Sequence, residues 1–280
     1  MKNFFLLVGV ITMPTLCLCQ NFYDNPPVLT SLNKTRERKV VPWPYLREAD
    51  VFVVKKVERI IDVREKQNQP MAFPANPFSK VLYDAVQNNT LTPYENDSLT
   101  SVMSMNKFLS IGLDTEVLTI PMDPDDPSYT RDTFVVNPFY VTDRVKKFRV
   151  VELWIYDKTR SQYFVRIISI APQYELKIGS VNLGWQDLCV LKYYSKDDKD
   201  IRHVNINYDV FNRQNNMVEL TFDDWFEQRL FSSYITKVSN MHDLSIRDQT
   251  EFKDNGVEAL LEAERKQREL IEREENLYED

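Results

Sequence analysis

The sequence predicts an α+β protein with a central antiparallel β-hairpin or sheet flanked by helices, an extended N-terminal arm and a long, charged C-terminal helix. Residues 148–156 and 163–170 are rich in β-branched and aromatic side chains, and the short polar stretch between them predicts a hairpin. Residues 78–87 carry an apolar stripe at helical spacing. Residues 257–277 consist largely of Glu, Arg and Lys with few apolar positions, which predicts a long charged helix.

Residues 1–19 have the pattern of a cleavable secretory signal. Lys2 precedes an apolar stretch over residues 4–13, and Cys17 and Cys19 are the small residues at the −3 and −1 positions of a cleavage site after Cys19. The stretch is shorter than the roughly 20 apolar residues of a membrane-spanning helix. Lipidation of either cysteine is the alternative, but the leucine before each of them disfavours it. We therefore expect a mature chain outside the cytoplasm.

The composition gives no electrostatic reason to expect a nucleic-acid or anionic-lipid partner, since 42 acidic residues outnumber 35 basic ones. Groups for catalysis are few. His203 and His242 are the only histidines, and no nucleophile elbow or glycine-rich phosphate loop is present. Once the leader is removed, Cys189 is the only cysteine, and its apolar neighbours predict a buried thiol. The sequence thus predicts no catalytic, cofactor-binding or metal-binding residues.

Two other classes of protein remain open at this point. A secreted hydrolase that uses two carboxylates would need one facing pair among the acidic residues, and nothing in the sequence marks such a pair. A monomeric ligand-binding protein would need a deep apolar cavity and would form no large assembly.

Residues 20–47 are predicted to form an extended arm, because prolines at positions 26, 27, 42 and 44 fix the backbone. Trp43 and Tyr45 stand beside these prolines and are candidate anchors in a partner's groove. The alternative is that they fold back onto their own domain. We expect the arm to follow the signal peptide at 1–19 and to precede a globular α+β domain at 48–255 and the charged helix at 256–280.

Local patterns predict several further elements. Residues 49–66 show helical spacing, and a strand at 51–57 is the competing interpretation because of its valines. Residues 188–194 are a strand candidate. Thr221 can cap a helix that reaches Tyr234, with acidic residues favourably placed in its first turn.

Three features could serve contacts or ligands. Residues 122–127 are acidic like a calcium loop, but their prolines and lack of glycine predict a solvated loop. Arg166 lies among Ile and Val in the second hairpin strand, so one face of the sheet is polar, either as a solvated face or as a subunit contact. The helix after Gly256 would be about 33 Å long and would project from the body, lie along a neighbour or form a solvated end.

Four segments in order along the chain resemble the gliding-motility protein family GldN, called PorN in non-gliding species. They are IDVREKQNQP at 61–70, the hairpin at 156–172, the segment at 222–240 that begins FDD, and residues 256–264. Ser169 stands where the family pattern leads us to expect glycine.

The resemblance implies a non-enzymatic component of the type IX secretion system of Bacteroidota, located in the periplasm at the inner face of the outer membrane. It implies a ring formed with the outer-membrane lipoprotein GldK (PorK), which meets the periplasmic part of the GldL–GldM motor (PorM in non-gliding species). Membrane association would come only through the lipoprotein. The resemblance supplies no catalytic residues, and the candidate partner contacts are Trp43, Tyr45, Arg64 and Arg166.

Overall fold

The computed structural model describes residues 38–111, 114–121, 130–137, 141–178, 181–211, 220–253 and 255–276. Its strands are β1 (Val51–Asp62), β2 (Pro93–Tyr94), β3 (Asp114–Pro121), β4 (Thr130–Asn137), β5 (Val145–Asp157), β6 (Gln162–Ile178), β7 (Val181–Asp187), β8 (Val190–Lys192) and β9 (Tyr234–Val238). Its α-helices are α1 (Phe78–Gln87), α2 (Met105–Ser110), α3 (Val141–Arg144), α4 (Ile201–Asn205), α5 (Phe222–Glu227) and α6 (Gly256–Glu275). The predicted α+β class is therefore confirmed.

The predicted hairpin is confirmed and forms the centre of the main sheet. β5 and β6 pair antiparallel from Val145 opposite Tyr174 to Asp157 opposite Gln162, around the polar turn that the sequence indicated. The sheet has seven strands in the order β2-β8-β6-β5-β1-β9, and β7 pairs with the second half of β6. β3 and β4 form a separate two-stranded antiparallel sheet.

The helix predicted over 49–66 is wrong, and the competing strand is right but longer than expected. β1 pairs antiparallel with β5 over its whole length and with β9 over residues 57–60. Because β1 is a central strand there, it carries apolar residues on both faces, Val57 and Ile61 on one and Ile60 on the other. The apolar residues on the two faces of β1 together happen to have the spacing of an amphipathic helix, which explains the wrong prediction.

The helix predicted at 78–87 is confirmed with the bounds of α1. Its stripe of Phe78, Val81, Leu82, Ala85 and Val86 is buried against the sheet in the larger hydrophobic cluster. Cys189 also lies in this cluster and is buried, as its apolar neighbours predicted. Burial, together with the nearby Asp187 carboxylate, raises the pKa of its thiol above the ordinary range.

The helix capped by Thr221 exists but ends earlier than predicted. Thr221 and Asp224 form a reciprocal capping box at the start of α5. The helix closes because Arg229 adopts a left-handed backbone (φ 56°) and Leu230 donates its N–H to the Trp225 carbonyl at 3.0 Å. The chain then enters β9, so Tyr234 belongs to a strand and not to the helix.

The strand predicted at 188–194 is confirmed in part. β8 covers only its middle, but Leu188 and Tyr193 also donate backbone N–H groups to β6 carbonyls, at 2.8 and 2.9 Å. The loop predicted at 122–127 lies outside the described residues, as do the signal peptide and the arm up to residue 37.

The charged helix α6 packs on its own sheet. Asn255 caps it by accepting from the N–H groups of Val257 and Glu258. Ala259, Ala263 and Leu270 are buried in a second hydrophobic cluster, which the sheet residues Val57, Trp154 and Ile235 and the nearby Ile246 complete. One stripe of α6 is therefore held by its own domain, while its other residues are half-buried or exposed.

Candidate interaction surfaces

Residues 38–45, the described end of the arm, lie across the domain as a strap that is held mainly through its backbone. Three arginines donate to strap carbonyls: Arg202 to Val41 (2.8 Å), Arg166 to Pro44 (2.6 Å) and Arg160 to Tyr45 (3.4 Å). At the other end, Arg38 pairs with Asp209 at 2.5 Å. These charge-assisted bonds are made to backbone carbonyls, so they do not depend on the identity of the strap side chains. They depend on the extended backbone conformation of the strap.

Trp43 is the side-chain anchor of the strap. Its ring stacks on Tyr193 at a centroid distance of 6.2 Å and packs at an angle of 55° against Tyr194 at 5.0 Å, directly after β8. The guanidinium groups of Arg166 and Arg202 lie 5.4 and 5.9 Å from its ring centroid, within cation–π range. The indole N–H points to the Glu227 carboxylate, 3.3 Å away, at the end of α5. Trp43 thus folds back onto its own domain, the alternative that the sequence left open.

The other three sequence-predicted contact residues are placed differently. Tyr45 is 82% exposed beyond the Trp43 site. Arg166 donates a hydrogen bond to the strap carbonyl of Pro44. Arg64 belongs to another cluster, where it bonds Asp62 and lies 5.7 Å from the Trp185 ring centroid. The structure therefore brings together Trp43, Tyr45 and Arg166 but not Arg64, and the role of all four as partner contacts stays a prediction.

Replacing Trp43 with alanine is expected to free the strap without unfolding the domain. The half-buried indole contributes about 1–3 kcal/mol, less than a fully buried aromatic residue. Hydrogen exchange measured by mass spectrometry should therefore accelerate over residues 38–47 and remain unchanged in β5 and β6. Tyr45→Ala is the matched control, because its exposed ring should leave strap exchange unaltered. Equal exchange in native protein and the Trp43 variant would contradict the anchoring role.

The floor under Trp43 contains a buried ion pair. Arg202 of α4 is 2% exposed and donates two bonds to Asp223 of α5, at 2.8 and 3.0 Å. Beside it, the Tyr193 hydroxyl donates to Glu227 at 3.0 Å. Burial and the neighbouring carboxylates of Glu227 and Asp223 raise the pKa of Tyr193 well above its usual value, so the phenol stays protonated and keeps donating. The strap therefore packs on a surface whose polar groups are bonded to one another.

A second buried network joins three segments that lie far apart in the sequence: β1, β5 and the turn after α5. The Glu152 carboxylate on β5 is fully buried and accepts from Arg59 of β1 at 3.0 Å, from Trp154 at 3.2 Å and from Arg229 at 2.8 and 3.0 Å. Burial lowers the pKa of the Arg59 guanidinium, and the Glu152 carboxylate opposes that effect. Sequence reasoning missed this network, since a charge inside an apolar strand gives no local sign of its partner.

The opposite face of the sheet carries an ionic cluster around Arg149. Its guanidinium bonds Asp97 at 2.8 and 2.7 Å and Asp187 at 3.0 Å through Nε and 2.5 Å through Nη2. Burial alone would lower its pKa, but the bonds to the two aspartates outweigh that and raise the pKa of Arg149. The cluster holds the loop after β2 and the end of β7 against β5. We therefore interpret it as a structural feature of the fold.

His203 is the described histidine with acidic partners, and its geometry is that of a helix cap. Asp200 caps α4 by accepting from the His203 N–H at 2.9 Å, and its carboxylate lies 2.7 Å from the ring Nδ1. Asp198 lies 3.0 Å from Nε2. Within the described ranges, no group of three or more His, Cys, Asp or Glu side chains is arranged to hold a metal ion.

A cleft of about 620 Å³ opens where the start of α6 meets the sheet. Its lining includes the aromatic residues Trp185 and Tyr234 and the aliphatic residues Ile246, Ala259 and Leu260. Lys147 lies between the two aromatic residues, 4.8 Å from the Trp185 ring centroid and 6.0 Å from that of Tyr234. Aliphatic and aromatic walls around a cation suit a protein ligand with an apolar side chain and a carboxylate.

These features define an α+β protein whose prominent surfaces are a strapped aromatic site and an apolar, basic cleft. The described helices include none that is long and apolar enough to cross a membrane.

The family model described as gliding motility associated protein GldN matches residues 46–279. The chain belongs to this family, and it is accordingly a component of gliding motility and type IX secretion. The family is a structural one and is not a known enzyme family. No curated protein matches the chain.

Proposed function

We propose that the chain is a non-enzymatic periplasmic component of the type IX secretion system that assembles with the outer-membrane lipoprotein GldK (PorK) into a ring. The ring would couple to the periplasmic part of the GldL–GldM motor, which drives secretion and gliding. The single observation that carries the proposal is the family match over residues 46–279.

Two features of the chain support this proposal. The N-terminal pattern of a charge, an apolar stretch and small residues suits export from the cytoplasm, and the leucines before Cys17 and Cys19 disfavour a lipid on this chain. Attachment to the outer membrane would then depend on a lipidated partner. Tyr45 of the strap is 82% exposed, and we propose that the strap and the arm before it contact that partner.

Co-expression with the lipoprotein tests the proposal. We expect the two proteins to co-purify and to form rings by negative-stain electron microscopy. A stable monomer that never joins the lipoprotein would overturn the proposed function.

The arm is tested separately from the function. A chain that lacks residues 20–37 keeps the whole described strap, so any loss of co-purification reports on the arm and not on the domain. Tyr45→Ala is expected to weaken co-purification without lowering the melting temperature, and Lys80→Ala, on the exposed side of α1, serves as the control. Unchanged rings from both arm variants would refute the arm's role and leave the secretion function standing.

A further inference from the structure

The cleft between Trp185 and α6 holds a cation that is incompletely paired. Lys147 is largely enclosed; its ammonium donates one long bond to the neutral Tyr234 hydroxyl at 3.4 Å, and its carboxylate partner, Asp62, lies 4.0 Å away. That carboxylate is already taken by Arg64, whose Nε lies 2.9 and 3.2 Å from its two oxygens and whose Nη2 lies 2.5 Å from one of them. A second lining cation, Arg247, is exposed, and no carboxylate of the described residues lies within 4.0 Å of it. An incoming carboxylate would complete the pairing of both cations.

The cleft also has an exposed apolar rim. Leu260, which lines it, is 53% exposed, and Val257 one turn earlier on α6 is 68% exposed. Leu183 is exposed beside the lining residue Gly184. Charged lining groups are basic only, in a chain of net charge −7. The site therefore favours an acidic partner surface that carries an apolar residue.

The far end of α6 has this chemistry. Ile271 is 43% exposed, and Glu272 beside it and Glu275 one turn later are exposed as well. Arg273, the basic residue at this end, is paired with Glu269 at 2.6 Å. The C-terminal end of a helix adds partial negative charge through its last carbonyl groups. One helix thus begins at a basic, apolar cleft and ends in an acidic, apolar tip about 30 Å away.

We propose that the cleft receives the C-terminal end of α6 from a second copy of this chain. Glu272 and Glu275 of that copy pair with Lys147 and Arg247, and Ile271 packs on the rim at Leu260. Each copy gives its tip to one neighbour and receives the tip of the other in its cleft, so the contact is heterologous and runs head to tail, as closure of a ring requires. A reciprocal exchange of tips between two copies would instead give a closed dimer, in which the chain with both cysteines forms no ladder. This inference rests on the proposed function, since it supplies the contact between copies in the ring.

Cysteine cross-linking in the complex with the lipoprotein tests the contact. The background is low, because Cys189 is buried and Cys17 and Cys19 can be replaced by serine. A mixture of the Arg247→Cys and Glu275→Cys chains should yield disulfide-linked dimers, whereas each variant alone should not. A chain with both cysteines should yield a ladder of oligomers. The pair Arg247→Cys and Lys80→Cys is the matched control and should remain monomeric on a denaturing gel.

Charge reversal gives an independent readout. Arg247→Glu, at an exposed position, should weaken association between copies at least about tenfold, which corresponds to 1.4 kcal/mol. Glu275→Arg in the same chain should restore part of it, because each contact then pairs opposite charges again. Unchanged melting temperatures would show that both variants fold.

The outcomes separate this inference from the proposed function. Native rings without the cross-link, or a cross-link from Arg247→Cys to the lipoprotein, would overturn the cleft contact and leave the function standing. Self-pairing of Arg247→Cys would also overturn it, because it indicates a two-fold contact. Failure of the native chain to join the lipoprotein would overturn the proposed function and, with it, this inference.

Discussion

Replacing Phe78 with alanine is expected to lower the free energy of unfolding by about 3–5 kcal/mol, the range for a large aromatic residue removed from a core. Phe78 is fully buried and begins α1. Its ring centroid lies 5.1 Å from that of Phe148 on β5, 5.0 Å from that of Phe222 and 5.2 Å from that of Phe226 on α5. The substitution therefore opens a cavity where one helix, the sheet and a second helix meet, and it removes three aromatic pairs.

Urea denaturation followed by tryptophan fluorescence measures this loss. Phe52→Ala is the matched control, because it deletes the same atoms at a position that is 71% exposed, and it should cost less than about 1 kcal/mol. Phe78 is fully buried and belongs to neither proposed contact surface, so at low temperature the folded Phe78 variant should still join the lipoprotein. Similar losses in the two variants would contradict the central place of Phe78 in the core.

The elements predicted correctly are those whose pattern is local. An apolar stripe within ten residues predicts α1, and two apolar runs joined by a polar turn predict the β5–β6 hairpin. The capping box of α5 is equally local, because Thr221 and Asp224 are three residues apart. Its early end was missed because the residue that closes it, Arg229, is not the glycine usual at a left-handed helix terminus.

β1 shows why other elements were missed. Its core-facing residues include Arg59, whose burial makes sense only beside Glu152, 93 residues later in the chain. When that partner is not known, the spacing of the charged residues of β1 is consistent with the solvent-exposed side of a helix. The contact residues follow the same rule. Trp43 stood out as an anchor among prolines, but its packing on Tyr193 and Tyr194 joins segments about 150 residues apart, which no local pattern encodes.

Glu152→Gln is expected to destabilise the domain by about 3–5 kcal/mol, because it leaves Arg59 buried with its charge unpaired. Glutamine keeps the shape of glutamate, so the effect reports the charge rather than a cavity. The loss should appear in urea denaturation as a lower midpoint at an unchanged slope. Arg229 loses the same partner but is about one third exposed, so water can solvate it and most of the cost falls on Arg59.

An exposed pair and a double variant decide whether charge burial is the cause. Glu95→Gln removes the acid of the exposed pair with Lys107, 2.7 Å apart, and should cost no more than about 1 kcal/mol. Glu152→Leu combined with Arg59→Met removes both buried charges, and it should be less destabilised than Glu152→Gln, since replacing a whole buried pair by apolar residues is often neutral. A double variant as unstable as the single one would contradict charge burial and assign the loss to the hydrogen bond from Trp154, which both variants alter. The network would then stabilise the sheet through one neutral donor rather than through its ion pairs.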